Sequence, residues 1–210
     1  MRQRRYLFSE VFTALGLHTY GTAAGDRAAI KKGEELLQTI LYYLNHPEEL
    51  SSKTLPTATR MRSHSMTMIL INLYQQFRSN TPGKDIKKHY SNLINNQIEE
   101  FFRFFYKEEY KAVLEYTAED GSLLDSPEGR EINPGHAVET AWFILEESIL
   151  SGSSVHKEKA LKIIDWSMES GWDEKYGGFL SFIDREGLPS MGYEILVAPY
   201  RSPLRPALGI

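Results

Sequence analysis

The chain has 210 residues, 41% of them hydrophobic and 12% aromatic, which suits a globular domain with its own core and excludes a disordered chain. A net charge of −4 gives no electrostatic case for nucleic acid, and the lack of cysteine excludes disulfides and thiolate metal sites. No apolar run approaches the ~20 residues that span a bilayer, and Ser9 and Glu10 interrupt any signal-peptide core after Met1–Tyr6, so a soluble cytoplasmic protein is expected, with no membrane partner.

The basic start (Arg2, Arg4, Arg5) reads as a solvated helix entry. From Tyr6 to Ala24, the residues Leu7, Val11, Ala14, Leu15 and Leu17/His18 recur at helical spacing. Gly25-Asp26 is a stop followed by a start, glycine suiting a helix C-terminus and aspartate an N-cap. The next helix runs to about Leu44, with Ile30, Leu37, Ile40 and Leu41 on its apolar side; Pro47 and Ser51–Pro56 form a loop. A third helix spans about Ser63 to Phe77, and Thr81-Pro82-Gly83 breaks it. A fourth runs from Asp85 to about Tyr106.

The texture then changes. Ala112–Tyr116 has strand character, Glu119–Ser122 reads as a turn and Asp125–Ile132 as a loop. Helices follow from Pro134 and from about Val155 to Ser170, and Gly177–Asp184 alternates like a strand closed by Arg185-Glu186-Gly187. Paired helices with short hairpins at one end, and no strict repeat, point to an all-α fold: an α/α toroid, of which six helices make about half a ring.

The chemistry concentrates in Asn133–Phe143. Asn133 suits an N-cap and Pro134 the first helical position. His136 then falls in the first turn and Glu139 three residues on, on the same face. The helix dipole lowers the pKa of an imidazole placed there, and an ionised Glu139 raises it. A poised imidazole suits proton transfer near neutral pH. Equally, His136 can satisfy a loop carbonyl while Glu139 complements the dipole. A histidine and a glutamate three apart are also an ingredient of di-iron sites, but those need a second copy and more carboxylates. None is found, so no metal and no cofactor is expected. His18, His46, His89 and His156 read as structural or solvent-facing; His64 starts a helix and either faces a cavity or caps.

Asp125–Glu146, DSPEGREINPGHAVETAWFILE, resembles the central motif of N-acylglucosamine 2-epimerases, also called renin-binding proteins. Gly171–Gly187 is similar to the hairpin after that family's next helix, and two earlier stretches, Arg4–Asp26 and Arg60–Arg78, are similar to two of its helices. The resemblance implies an (α/α)6 barrel and C2 epimerisation of a small sugar. A base removes the proton beside the carbonyl of the open-chain sugar, and a second group returns one to the opposite face. It implies His136 as one of two acid/base histidines. It implies Glu139 as a site carboxylate, Trp142 as a wall, and Glu115 and His64 as further substrate contacts. It favours the N-acetylglucosamine branch over the cellobiose branch, and it implies no cofactor.

The resemblance is partial. Family members are much longer; the part carrying an active-site arginine and the later part carrying the second histidine have no counterpart here. The expected organisation is therefore a partial barrel domain over residues 1–190 and an aberrant or disordered tail over 191–210. Codons for the family's Met-Lys-Phe-Trp-Trp-Pro-His-Thr-Glu-Ala, read one base out of phase, force Glu, Leu, Val and Ala and permit every other residue of Tyr193–Ser202. The tail thus reads as an out-of-frame translation. Half a toroid leaves apolar edges uncovered, implying self-association (a homodimer included) or marginal stability, and impaired epimerase activity. Two other readings remain open: a helical-repeat scaffold without chemistry, and an (α/α)6 glycoside hydrolase using Glu115 and Glu139 as its two carboxylates.

Overall fold

A computed structural model describes residues 7–50 and 60–187. The helix entry over Met1–Tyr6, the loop Ser51–Pro56, the boundary at 190/191 and the tail from Tyr193 all lie outside the described residues. Among those described are seven α-helices: α1 (Phe8–Ala24), α2 (Arg27–Asn45), α3 (His64–Asn80), α4 (Lys84–Phe104), a single-turn α5 (Pro127–Arg130), α6 (Pro134–Ser151) and α7 (Ser154–Gly171). Three antiparallel pairs of short strands accompany them: β1 (Met61–Ser63) with β4 (Tyr116–Ala118), β2 (Tyr106–Lys107) with β3 (Ala112–Val113), and β5 (Glu131–Ile132) with β6 (Ile183–Asp184).

The helical hairpins turn by a shared local grammar. α1 ends at Gly25, whose φ of 69° is the left-handed conformation glycine adopts freely, and whose N–H donates to Gly21 O. Asp26 then caps α2, its Oδ1 accepting from the N–H groups of Ala28 and Ala29 at 2.9 and 3.1 Å. α6 ends the same way at Gly152 (φ 74°), and Ser153 Oγ accepts from the His156 N–H at 3.3 Å to open α7. Each such cap stabilises its helix by about 1 kcal/mol.

The chain divides into two compact units. Among the described residues, one comprises 7–50, 60 and 69–97, the other 61–68 and 98–187. In the first, Val11, Ala14, Leu37, Ile40, Leu73 and Phe77 are buried. The backbones of α1 and α2 approach closely at Gly33, where an added Cβ would lie 3.0 Å from Ala14 O and from His18 Cβ. His18 is itself buried, stacked on Phe77 with ring centroids 4.0 Å apart; burial pushes its pKa down, against the pull of Glu34. In the second unit, Phe101, Phe105, Leu114, Ala141, Ile144 and Ile163 are buried, and all the described strands belong to it.

Three boundaries differ from the sequence expectation. The strand expected over Ala112–Tyr116 is two, because β3 pairs with β2 while β4 pairs with β1. Leu114 and Glu115 fall in the step between these partners. The expected loop Asp125–Ile132 contains α5 and β5. Ser126 Oγ caps α5 by accepting from the Gly129 N–H at 3.2 Å, and Pro127 takes its first position. Of the strand expected over Gly177–Asp184, only Ile183–Asp184 forms a paired strand, with Phe179 making a single bridge to Trp172.

Candidate functional site

The site grows from Glu115, in the step between β3 and β4. Its N–H donates to Glu131 O at 3.0 Å and its carbonyl accepts from the His64 N–H at 2.9 Å. The neighbouring Leu114 N–H donates to Phe105 O at 3.1 Å. With its backbone pinned on both sides, the side chain turns inward and is 5% exposed.

Two histidines meet it there. Asn133 caps α6, its Oδ1 accepting from the His136 N–H at 3.0 Å, and Pro134 occupies the first helical position. This sets His136 in the opening turn, with its Nδ1 3.0 Å from Glu115 Oε1. His64, the first residue of α3, is fully buried and lies against the rings of Phe101 and Phe105. Its Nδ1 is 3.4 Å from the same Glu115 oxygen, and its Nε2 is 2.8 Å from Thr140 Oγ1. The Thr140 hydroxyl also lies 2.9 Å from the His136 carbonyl oxygen. The two imidazole centroids are 6.4 Å apart. Every one of these residues belongs to the second unit.

The electrostatics follow from this packing. Burial alone would raise the Glu115 pKa, but hydrogen bonds from His136 and His64, with their charge, override it and hold the carboxyl at about 2. The bond to Glu115 raises the His136 pKa against the opposing effect of burial, and the carboxylates of Glu139 and Glu131 add to the rise. Burial raises the Glu139 pKa, partly offset by His136 and His64. The opposing pulls expected on His136 thus resolve upward, and the dominant partner is Glu115 rather than its helix neighbour Glu139.

The structure brings together His64, Glu115 and His136, with Glu139 close enough to feel both imidazoles. It does not bring Trp142 there. Six residues beyond His136 on an α-helix, Trp142 points about 120° away, and its indole N–H donates to Glu146 Oε1 at 2.9 Å. The side chains of Glu115 and His64 are 5% and 0% exposed, and that of His136 is 35% exposed. Sequence reasoning missed Thr140, although its place one helical turn after His136 was a usable signal. Among the described residues, no group of three or more His, Asp or Glu side chains is arranged to hold a metal ion, and no helix is long and apolar enough to cross a membrane.

The opening of α6 is braced by α7. A Cβ on Gly171 would come within 2.5 Å of Pro134 Cγ and 2.6 Å of Pro134 Cβ. Gly171→Ala is expected to cost about 1–3 kcal/mol through overpacking. Urea unfolding measures the loss, and a changed His136 amide resonance would show that the opening turn has moved.

The family model described as N-acylglucosamine 2-epimerase (GlcNAc 2-epimerase) matches residues 1–196. The chain belongs to this family. The N-acylglucosamine 2-epimerase of Bos taurus is 28% identical over 191 residues, covering 90% of this chain and 44% of the bovine protein. The Homo sapiens N-acylglucosamine 2-epimerase is 25% identical, covering 89% and 43%. The chain therefore spans less than half the length of these curated relatives. Among solved structures, a sugar epimerase from a ruminal bacterium aligns with a TM-score of 0.71 at 13% identity, over 93% of this chain and 49% of that one. A D-mannose isomerase aligns at 0.64 and 17%, over 88% and 50%. The fold class is accordingly all-α, an incomplete (α/α)6 barrel with short strands, as the N-acylglucosamine 2-epimerase resemblance implied.

Proposed function

We propose that this chain carries the first acid/base group of a sugar C2 epimerase, acting on N-acetylglucosamine and N-acetylmannosamine or a related aldose. The observation that supports the reading is the state of His136. It is held through Nδ1 by a buried carboxylate, yet over a third of its side chain is open to solvent. A basic imidazole with one face accessible is what abstraction of a proton beside a carbonyl requires.

In the step proposed, His136 Nε2 takes the C2 proton of the open-chain sugar. The C–H electron pair forms the C1–C2 double bond, and the carbonyl oxygen gains the negative charge. Glu139, partly buried on the same helix face as His136, is the carboxylate assigned to accept a hydrogen bond from a sugar hydroxyl. Return of the proton from His136 restores the starting sugar, whereas inversion needs a second group on the far face. This chain alone is therefore expected to exchange the C2 proton with little net epimerisation.

The test is an NMR assay of the purified 210-residue chain in D2O with N-acetylglucosamine, N-acetylmannosamine and mannose. Loss of the C2–H signal without conversion, abolished by His136→Asn, is the expected result. Lack of exchange with every sugar would overturn the assignment of His136, and rapid epimerisation would overturn the single-base reading.

A further inference from the structure

We propose that Glu115 and His64 are positioning residues that lock the His136 imidazole in its Nδ1–H tautomer, leaving Nε2 as the nitrogen that exchanges a proton. The consequence for catalysis rests on the reading of His136 as a base; the tautomer itself rests only on the hydrogen bonds.

The argument is one of donors and acceptors. An ionised carboxylate can only accept hydrogen bonds. Glu115 Oε1 faces His136 Nδ1 at 3.0 Å and His64 Nδ1 at 3.4 Å, so both Nδ1 atoms must carry their protons. A neutral His64 then has a lone pair on Nε2, and the Thr140 hydroxyl 2.8 Å away can donate to it. That hydroxyl has a second acceptor in the His136 carbonyl at 2.9 Å, and helix geometry does not require it there, since that carbonyl can accept from the Thr140 N–H. A rotation of one hydroxyl thus accommodates either protonation state of His64 without moving a heavy atom.

His136 has no such second partner. Among the described residues no group is hydrogen-bonded to its Nε2, and this is the imidazole with exposed surface. The charged groups that act on it are Glu115, Glu139 and Glu131, with the His64 ring 6.4 Å away. Among the described residues only Glu115 makes a hydrogen bond to the imidazole, so it is Glu115 that selects between its nitrogens. His64 contributes from behind: by sharing Oε1 it helps to fix where the oxygen stands. In a histidine with a carboxylate partner, that partner settles which nitrogen bears the proton.

Long-range 1H–15N correlation spectra of the 210-residue chain decide the matter, since protonated and bare imidazole nitrogens differ widely in 15N shift. Above its pKa, wild-type His136 is expected to show a protonated Nδ1 and a bare Nε2. Glu115→Gln removes the anion; the tautomer ratio should then move toward Nε2–H by about tenfold or more, and the His136 titration midpoint should fall. Thr140→Val, which leaves Glu115 in place, should alter the His64 nitrogens and spare the His136 tautomer. Finding Nε2–H as the main form of wild-type His136 overturns the proposal without any variant, as would an unchanged ratio in a folded Glu115→Gln chain. Absent C2 exchange with the expected spectra would instead sink the epimerase reading and leave the tautomer lock standing.

Discussion

Glu115→Ala is expected to remove about 3–5 kcal/mol of folding stability, the usual cost of stripping one partner from a buried ionic group. Glu115 is buried, and one of its carboxylate oxygens serves two imidazoles. Without it, a fully buried His64 keeps, among the described residues, only Thr140 as a polar side-chain partner, and the opening turn of α6 loses its tie to the β3–β4 step. Glu115→Gln retains the volume and one acceptor, so its loss should be smaller. Glu139→Ala provides the contrast: that side chain is partly exposed, and its removal should cost under about 1 kcal/mol. Urea midpoints for the three variants give the ranking. A loss for Glu115→Ala no larger than that for Glu139→Ala would mean that the carboxylate does not hold the histidines.

Acid should remove a similar amount from the wild type. The Glu115 carboxyl sits at about 2 in the fold against an ordinary 4.5. Because the folded value is depressed, its stabilisation is fully present above pH 4.5. It is lost as pH falls toward 2, about 3 kcal/mol in all. His18 acts at milder acidity. Its pKa is lowered by burial, so the unfolded chain takes up the proton first and stability begins to fall below pH 6.5. His136 has the opposite sign: its pKa is raised, so its contribution is present below pH 6.5 and disappears as pH rises through the folded value. Unfolding free energies should therefore decline in the wild type between pH 4.5 and 2, where the large Glu115 shift acts, and Glu115→Gln should lack that decline. Parallel curves for the two proteins in that segment would refute the buried anion.

The sequence disclosed elements governed by neighbours in the chain. Gly25-Asp26 announced a hairpin because helix stop and start are both local, and Asn133-Pro134 announced the opening of α6 for the same reason. Ser126-Pro127 carries the same signature, yet the single turn of α5 falls inside the stretch expected as a loop over Asp125–Ile132. What depended on pairing was hidden. Ala112–Tyr116 has one uninterrupted strand composition, yet it splits because its two ends find different partners. The His136–Glu115 bond spans 21 residues and the His64–Thr140 bond 76. No periodicity reports such contacts; the resemblance nominated Glu115 and His64 as sugar contacts, and their hydrogen bonds to His136 and Thr140 come from the fold alone.

The double hold of residue 115 on residue 64, main chain to main chain and side chain to ring, has a practical corollary. The Asn-Pro-Gly-His stretch is not a portable cassette. Grafted into another helical scaffold alone, it would carry its imidazole but none of the apparatus that orients it. A transplant would have to move three segments together, around 64, 115 and 136–140, in register.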